Sequence, residues 1–175
     1  MMDKSKIMNE RHEALEAVEG SLQEELIAAK LNVPEDGEGE EVLTVIFPEL
    51  GIDGDGAVAE LFFLPIVSDE VSVQHFATVI TIADVIGEEQ YAPLYEAISY
   101  INFRLACGAY ALDDETGTLI YKLVVPMPVE LEGDELLKEL NICSGNAVAA
   151  VDQHMDLLLR MLDGDVTMDD VRAAF

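Results

Sequence analysis

The sharpest pattern of apolar and polar positions lies between Gln90 and Met127. From Tyr91 apolar residues recur at Leu94, Ile98, Ile101 and Leu105, the spacing of one face of an amphipathic helix. Pro93 has no N–H and fits only a first helical turn, so the helix is expected to begin near residues 89–91. Gly108 is the expected end, as the residue best suited to a left-handed cap. The period then switches to two. Tyr110 and Leu112 fall on one face, and Ala109 and Ala111 on the other. Asp113-Asp114-Glu115-Thr116-Gly117 supplies turn chemistry. The return strand puts Leu119, Tyr121, Leu123 and Val125 on one face and Ile120, Lys122 and Val124 on the other, until Pro126 and Pro128 stop it.

The remaining segments complete a sheet around this helix and hairpin. Residues 6–30 predict a helix with the stripe Leu15, Val18, Leu22 and Leu26, which Gly20-Ser21 either kinks or divides. Residues 34–39 are an acidic loop. Residues 42–47 and 58–64 are β-rich runs that predict a hairpin with a long, glycine-containing connection. Residues 71–85 are rich in valine, isoleucine and threonine and predict a third strand over 72–83. A helix is the rival reading, because Phe76, Val79, Ile80 and Ala83 also fit helical spacing. After an acidic linker, residues 135–140 start a short helix that Cys143-Ser144-Gly145 breaks. Val148, Val151, Met155, Leu158 and Leu162 then mark another helix, capped by Gly164, and Thr167 N-caps a last short one. The expected class is α+β: a five-stranded, mainly antiparallel sheet with packed helices, in the order α-β-β-β-α-β-β-α. One domain spans 1–175, with its core over about 10–162 and a C-terminal helical extension over 163–175.

Three short stretches carry a family resemblance: Tyr100-Ile101-Asn102-Phe103 at the helix end, Gly108-Ala109-Tyr110-Ala111-Leu112-Asp113, and Gly117-Thr118-Leu119-Ile120-Tyr121-Lys122. With the element order, they resemble the YbjN-like family of bacterial proteins, described as sensory-transduction regulators, which share the fold of the type III secretion chaperones. The resemblance covers roughly residues 10–162 and implies a type III secretion chaperone-like fold. It also implies a bacterial, dimeric protein that binds extended client segments and needs no catalytic residue.

Charge narrows the partners. Asp and Glu number 36 against 9 Lys and Arg, a formal net charge of -27. Phosphate binding works through lysine and arginine displacing counterions, so nucleic acid is not expected as a partner, and an anionic membrane surface is disfavoured in the same way. The two cysteines, Cys107 and Cys143, make neither a disulfide framework nor a metal-ligand spacing, and a reduced, cytoplasmic setting is expected. The first twenty residues mix charges throughout, unlike a signal peptide. No window is long and uncharged enough for a transmembrane helix.

Candidate chemistry is sparse. Asp53-Gly54-Asp55-Gly56 matches the start of a calcium loop, but Ala57 stands where a third ligand belongs and Val58 where the glycine belongs, so an acidic turn is expected. His12, His75 and His154 are isolated in sequence. His12 and His154 are expected on solvated helix faces and His75 on a strand. Ser144 lacks the nucleophile-elbow context, and Cys107 reads as a buried small apolar residue. The glycines fit neither nucleotide-binding fingerprint. Tyr91, Tyr95, Tyr100 and Tyr110 either line a groove or sit at a core edge with wet hydroxyls. The sequence thus offers no catalytic, cofactor-binding or metal-ligating residues. It points to a non-enzymatic protein–protein interaction module, with a small-ligand binder or an enzyme with a site assembled from distant residues as the alternative.

The strands themselves suggest a binding face. Thr44, Glu60 and Lys122 mark the outer side, which also carries Ile46, Val58, Phe62, Ile120 and Val124. Leu43, Val45, Phe47, Leu61, Phe63, Leu119, Tyr121 and Leu123 form the helix-packed side. A merely solvated face would be mostly polar. Either a terminal helix covers this one, or part of it serves a second subunit of a homodimer or a protein client. The absence of ligand spacing also predicts that chelator leaves the thermal melt unchanged and that elemental analysis finds no stoichiometric metal. A metal lost together with stability would refute this.

Overall fold

The computed structural model describes residues 4–34, 39–66 and 72–175. The acidic loop read at 34–39 lies largely outside them, as does Val71. The elements are α1 (Lys4–Glu24), β1 (Ala28–Asn32), β2 (Val42–Leu50), β3 (Asp55–Phe63) and β4 (Val73–Ala83). After a 3-10 turn (Glu88–Gln90) come α2 (Tyr91–Asn102), β5 (Ala109–Asp113), β6 (Thr118–Pro128), α3 (Gly133–Leu162) and α4 (Met168–Ala173). The protein is α+β, with an open antiparallel sheet and packed helices. The sheet has six strands in the order β1-β2-β3-β4-β6-β5, not five.

The additional strand is β1, which the sequence pattern assigned to the end of the N-terminal helix. Gly20-Ser21 does not divide α1, but the helix stops at Glu24. Leu26 adopts φ 64°, the amide of Ile27 donates to Leu22 O at 2.9 Å and that of Leu26 to Gln23 O at 3.1 Å. This is the Schellman arrangement with a leucine where glycine is usual. Leu26 is 94% exposed, so it belongs to no apolar stripe. The buried face of α1 is Ile7, Arg11, Ala14, Leu15 and Val18.

Other boundaries also moved. The β2–β3 connection is a tight turn from Gly51 to Gly54, with φ 70° and 77° at those glycines, rather than a long loop. Helix α2 ends at Asn102, not Gly108. The Asn102 side chain pairs with the backbone of Tyr110 in both directions, at 2.8 and 2.9 Å, and turns the chain into β5. Gly108, at φ 65°, is needed for a different reason: a Cβ there would lie 2.2 Å from the Tyr121 hydroxyl. Strand β6 runs on through Pro126 to Pro128. Its β5 pairing stops at Lys122, so beyond that residue β5 makes no demand on the missing N–H groups. Helix α3 is continuous through Cys143-Ser144-Gly145. One exposed interior glycine costs about 1 kcal/mol relative to alanine. The unbroken buried stripe Leu136, Leu140, Cys143, Ala147, Val151, Met155 and Leu158 outweighs it, at about 1.5–3 kcal/mol for each large side chain. The strand reading of 72–83 holds, as do the Asp113–Gly117 turn, the Gly164 cap and the Thr167 N-cap.

Contacts divide the chain into two compact units. Unit 1 comprises Met1–Ile46, Ala59–Thr78 and Val124–Asn146; unit 2 comprises Phe47–Val58, Val79–Leu123 and Ala147–Phe175. Within unit 1 the core includes Leu15, Leu43, Val45, Leu61, Phe63, Phe76, Leu136 and Leu140. Within unit 2 it includes Ile80, Leu94, Ile101, Tyr110, Leu119, Tyr121, Met155 and Leu158. The left-handed conformation of an ordinary residue costs about 1–2 kcal/mol. Leu26→Gly removes that cost at an exposed site and is expected to stabilise the protein by about 1 kcal/mol, less than the full strain because glycine is freer when unfolded. Urea denaturation of both proteins measures this, and a lower midpoint for the variant would contradict the capping account.

Candidate functional site

The alternation that assigned inner and outer faces is upheld strand by strand. Leu43, Val45, Leu61, Phe63, Leu119, Tyr121 and Leu123 are buried, whereas Phe47, expected among them, is half-buried. On the outer side, unit 1 carries Ile46, 50% exposed, with half-buried Phe62 and Val124; unit 2 carries exposed Val58 and half-buried Ile120.

In unit 1, Ile46 walls a groove of about 470 Å³ shared with Gln23, Ala28, Ala29, Lys30, Asn32 and Thr44. Pairing β1 with β2 in the register Ala28↔Ile46, Lys30↔Thr44 and Asn32↔Val42 builds it. Asn32 Nδ2 fixes one end by donating to Thr44 Oγ1 at 3.0 Å and Val42 O at 3.2 Å. Strand β1 is a sheet edge, yet some of its outward backbone groups are bonded. The amide of Leu31 donates to Glu19 Oε1 at 3.0 Å, and Gln23 Nε2 donates to Ala29 O at 3.0 Å. Reading 25–30 as helix hid this groove; Gly-free, β-poor Ala28–Asn32 gave little signal for a strand.

Also in unit 1, Arg11 is buried. Its Nε donates to Gln74 Oε1 at 3.0 Å, its Nη1 to Leu64 O at 3.3 Å, and its guanidinium lies 4.7 Å above the Phe63 ring. Burial pulls its pKa below the ordinary arginine value. His12, half-buried, sits between Glu41 (Nδ1–Oε2 2.9 Å) and Glu16 (Nε2–Oε1 3.3 Å). The hydrogen bond to Glu41 raises its pKa.

Unit 2 holds a second constellation, which sequence reasoning missed. His154 was expected on a solvated face but is only 6% exposed. Its Nδ1 lies 2.8 Å from Ala150 O, a pure acceptor, so Nδ1 carries the proton and Nε2 is left as an acceptor. Tyr110, also buried, donates its hydroxyl to the same carbonyl at 2.8 Å and packs edge-on against Tyr121 and His154. Phe175 stacks on His154 at 5.3 Å between centroids, and Tyr100 meets Phe175 edge-on. Desolvation lowers the His154 pKa and raises those of both buried tyrosines. Ile52, Gln153, His154, Asp156, Leu157, Arg160, Ala174 and Phe175 line a cavity of about 220 Å³. The histidine and Phe175 lie 21 residues apart in sequence, and only the return of α4 joins them. Tyr95 is exposed, Tyr91 and Tyr100 are half-buried and Tyr110 is buried.

Cys107 is exposed rather than buried, and its carbonyl accepts from the Tyr121 hydroxyl at 2.8 Å. Ser144 donates its hydroxyl to Leu140 O. Among the described residues no three His, Cys, Asp or Glu side chains are grouped to hold a metal ion, and no helix is long and apolar enough to cross a membrane. No protein-family model, curated protein or solved structure matches the chain.

The two histidines predict opposite pH dependences. His12, with a raised folded pKa, stabilises fully below its unfolded value near pH ~6.5 and loses that contribution as pH rises through the folded value. His154, with a lowered folded pKa, is paid in full above ~6.5 and destabilises as pH falls through the window below it. Denaturation of wild type, His12→Gln and His154→Gln across pH 5 to 8 checks this. The stability gap between wild type and His12→Gln should narrow with rising pH, and that for His154→Gln should narrow with falling pH.

Proposed function

We propose that this chain is a non-enzymatic protein-interaction module, chaperone-like or regulatory, that binds a protein partner or client and works as a homodimer. The observation that carries the reading is the 470 Å³ groove beside Ile46 in unit 1, on the face that strand alternation marked as the outer side. An exposed apolar side chain beside a concave, mostly apolar surface is suited to receiving a partner's side chains. The likeness of three short stretches to the YbjN-like family, and through it to the type III secretion chaperones, points the same way, and the reading places the protein in a bacterial cytoplasm.

The bonded edge of β1 limits how a partner engages. An extended segment adding as a seventh strand would have to displace Glu19 from Leu31 N–H and Gln23 from Ala29 O. Packing of side chains into the groove requires neither step. Charge sets a second condition. Two chains of net charge -27 repel, so an apolar interface between them strengthens as salt screens the repulsion.

Light scattering coupled to size exclusion tests the proposal. The wild type is expected as a dimer whose dissociation weakens with added salt. Ile46→Asp and Phe62→Asp are expected to abolish association with the monomer's melt nearly unchanged. A monomeric wild type at high concentration and moderate salt rejects the homodimer. Unfolding of the isolated chain by Ile46→Asp, at a half-exposed residue, rejects the binding face.

A further inference from the structure

The cavity in unit 2 carries a combination of groups that a packed core does not require. Gln153, His154, Asp156, Leu157 and Arg160 present one face of α3 to it, and Ile52, Ala174 and Phe175 close it. His154 Nδ1 has spent its proton on Ala150 O, and among the described residues no protein group donates to Nε2. The residue is 6% exposed, so the cavity it lines is where a donor can reach that lone pair. Nε2 is not among the buried unpartnered atoms, so water reaches it through the cavity and a ligand donor there would take the place of that water.

Asp156 and Arg160 are one helical turn apart, a spacing that favours an ion pair. They make none. Asp156 is turned to the β2–β3 turn, where it accepts from Ile52 N at 2.6 Å and Asp53 N at 3.4 Å. The Arg160 guanidinium has no carboxylate within 4.0 Å among the described residues. The cavity is therefore bordered by a cation that lies in the field of Asp170 but has no carboxylate within 4.0 Å among the described residues, a fixed carboxylate, an acceptor open to the cavity, and apolar side chains of Leu157, Phe175 and Ile52, the last 96% exposed.

We infer that this cavity binds a small zwitterion with an apolar side chain, a free aliphatic α-amino acid. Its carboxylate meets Arg160, its ammonium donates to His154 Nε2 beside Asp156, and its side chain packs on Leu157, Phe175 and Ile52. A purely anionic ligand would face Asp156 within a strongly acidic protein, and a purely cationic one would face Arg160. Size agrees, since a cavity of about 150 Å³ holds benzene and this one, at about 220 Å³, holds a molecule of the size of leucine.

Isothermal titration and thermal shift of the full chain at neutral pH, with L-leucine as the probe, test this. Leucine is expected to bind one-to-one and raise the melting temperature. Leucinamide, which lacks the carboxylate, and 4-methylpentanoate, which lacks the amine, are expected to bind at least about tenfold more weakly. Arg160→Gln should weaken leucine to the same degree without changing the melt of the free protein. Ile52→Glu, which sets an acid at the exposed mouth, should do likewise and serves if Arg160→Gln alters folding. The inference fails if leucine, valine and isoleucine give neither heat nor thermal shift at about 10 mM. Equal binding by either truncated analogue, or undiminished leucine binding by both variants, also overturns it.

Discussion

The double hydrogen bond between Asn102 and the backbone of Tyr110 is the constraint on which unit 2 depends. It ends α2 and starts β5 in one step, and so sets which residues of the hairpin face inward. With the register fixed, the Tyr110 ring packs on Tyr121 and its hydroxyl reaches Ala150 O on α3. That same carbonyl orients His154, and the imidazole supplies the surface on which Phe175 stacks. A helix, a hairpin, a second helix and the C-terminal residue are thus tied through one aromatic side chain. Losing that side chain would remove the buried ring and one of the donors to Ala150 O, which His154 Nδ1 also meets, whereas the Asn102 bonds are to the backbone and would remain.

Unit 1 solves a different problem. Arg11 brings a cation into a core, and neighbouring neutral groups accept its hydrogen bonds, with no carboxylate within 4.0 Å among the described residues. Gln74 Oε1 and Leu64 O take two of its bonds, the Phe63 face receives the charge, and Gln74 is itself anchored to Pro128 O at 3.3 Å. Neutral acceptors and a ring face leave the arginine charged at lower desolvation cost than an isolated ion would carry. The arrangement joins α1 to the strand residues of unit 1 and explains why a polar side chain shares the helix face of Ile7, Leu15 and Val18.

With four times as many acids as bases, the protein cannot satisfy its carboxylates by salt bridges. Backbone amides take their place at several points. Asp152 and Asp156 accept from the turn at Gly51, Ile52 and Asp53; Glu19 accepts from Leu31; Asp170 closes a capping box with Thr167, which lowers its pKa. The turn that resembles a calcium loop donates its backbone amides to carboxylates. Gly51 suits that turn through its φ of 70°, and a Cβ there would press on the Asp156 carboxylate and move it.

Short-range physics made much of the architecture legible. Period-two alternation assigned the faces of β2, β3 and β6, and β-branched density settled β4, because each signal is carried by adjacent residues on one strand. Thr167 and Gly164 marked helix ends for the same reason: a cap is made within one turn. What the sequence left open depended on partners remote in the chain. Ala28–Asn32 becomes a strand because β2 offers it a ladder, and Leu26 takes a glycine's conformation because α1 must end before that strand begins. Gly145 does not break α3, since burial along the whole helix outweighs its local cost. His154 is buried only because Tyr110, 44 residues earlier, and Phe175, at the C-terminal end, close over it. Propensity and period fixed the elements, whereas their ends and the groups that meet across them were decided by tertiary contacts, whose free energies exceed the local preferences they override.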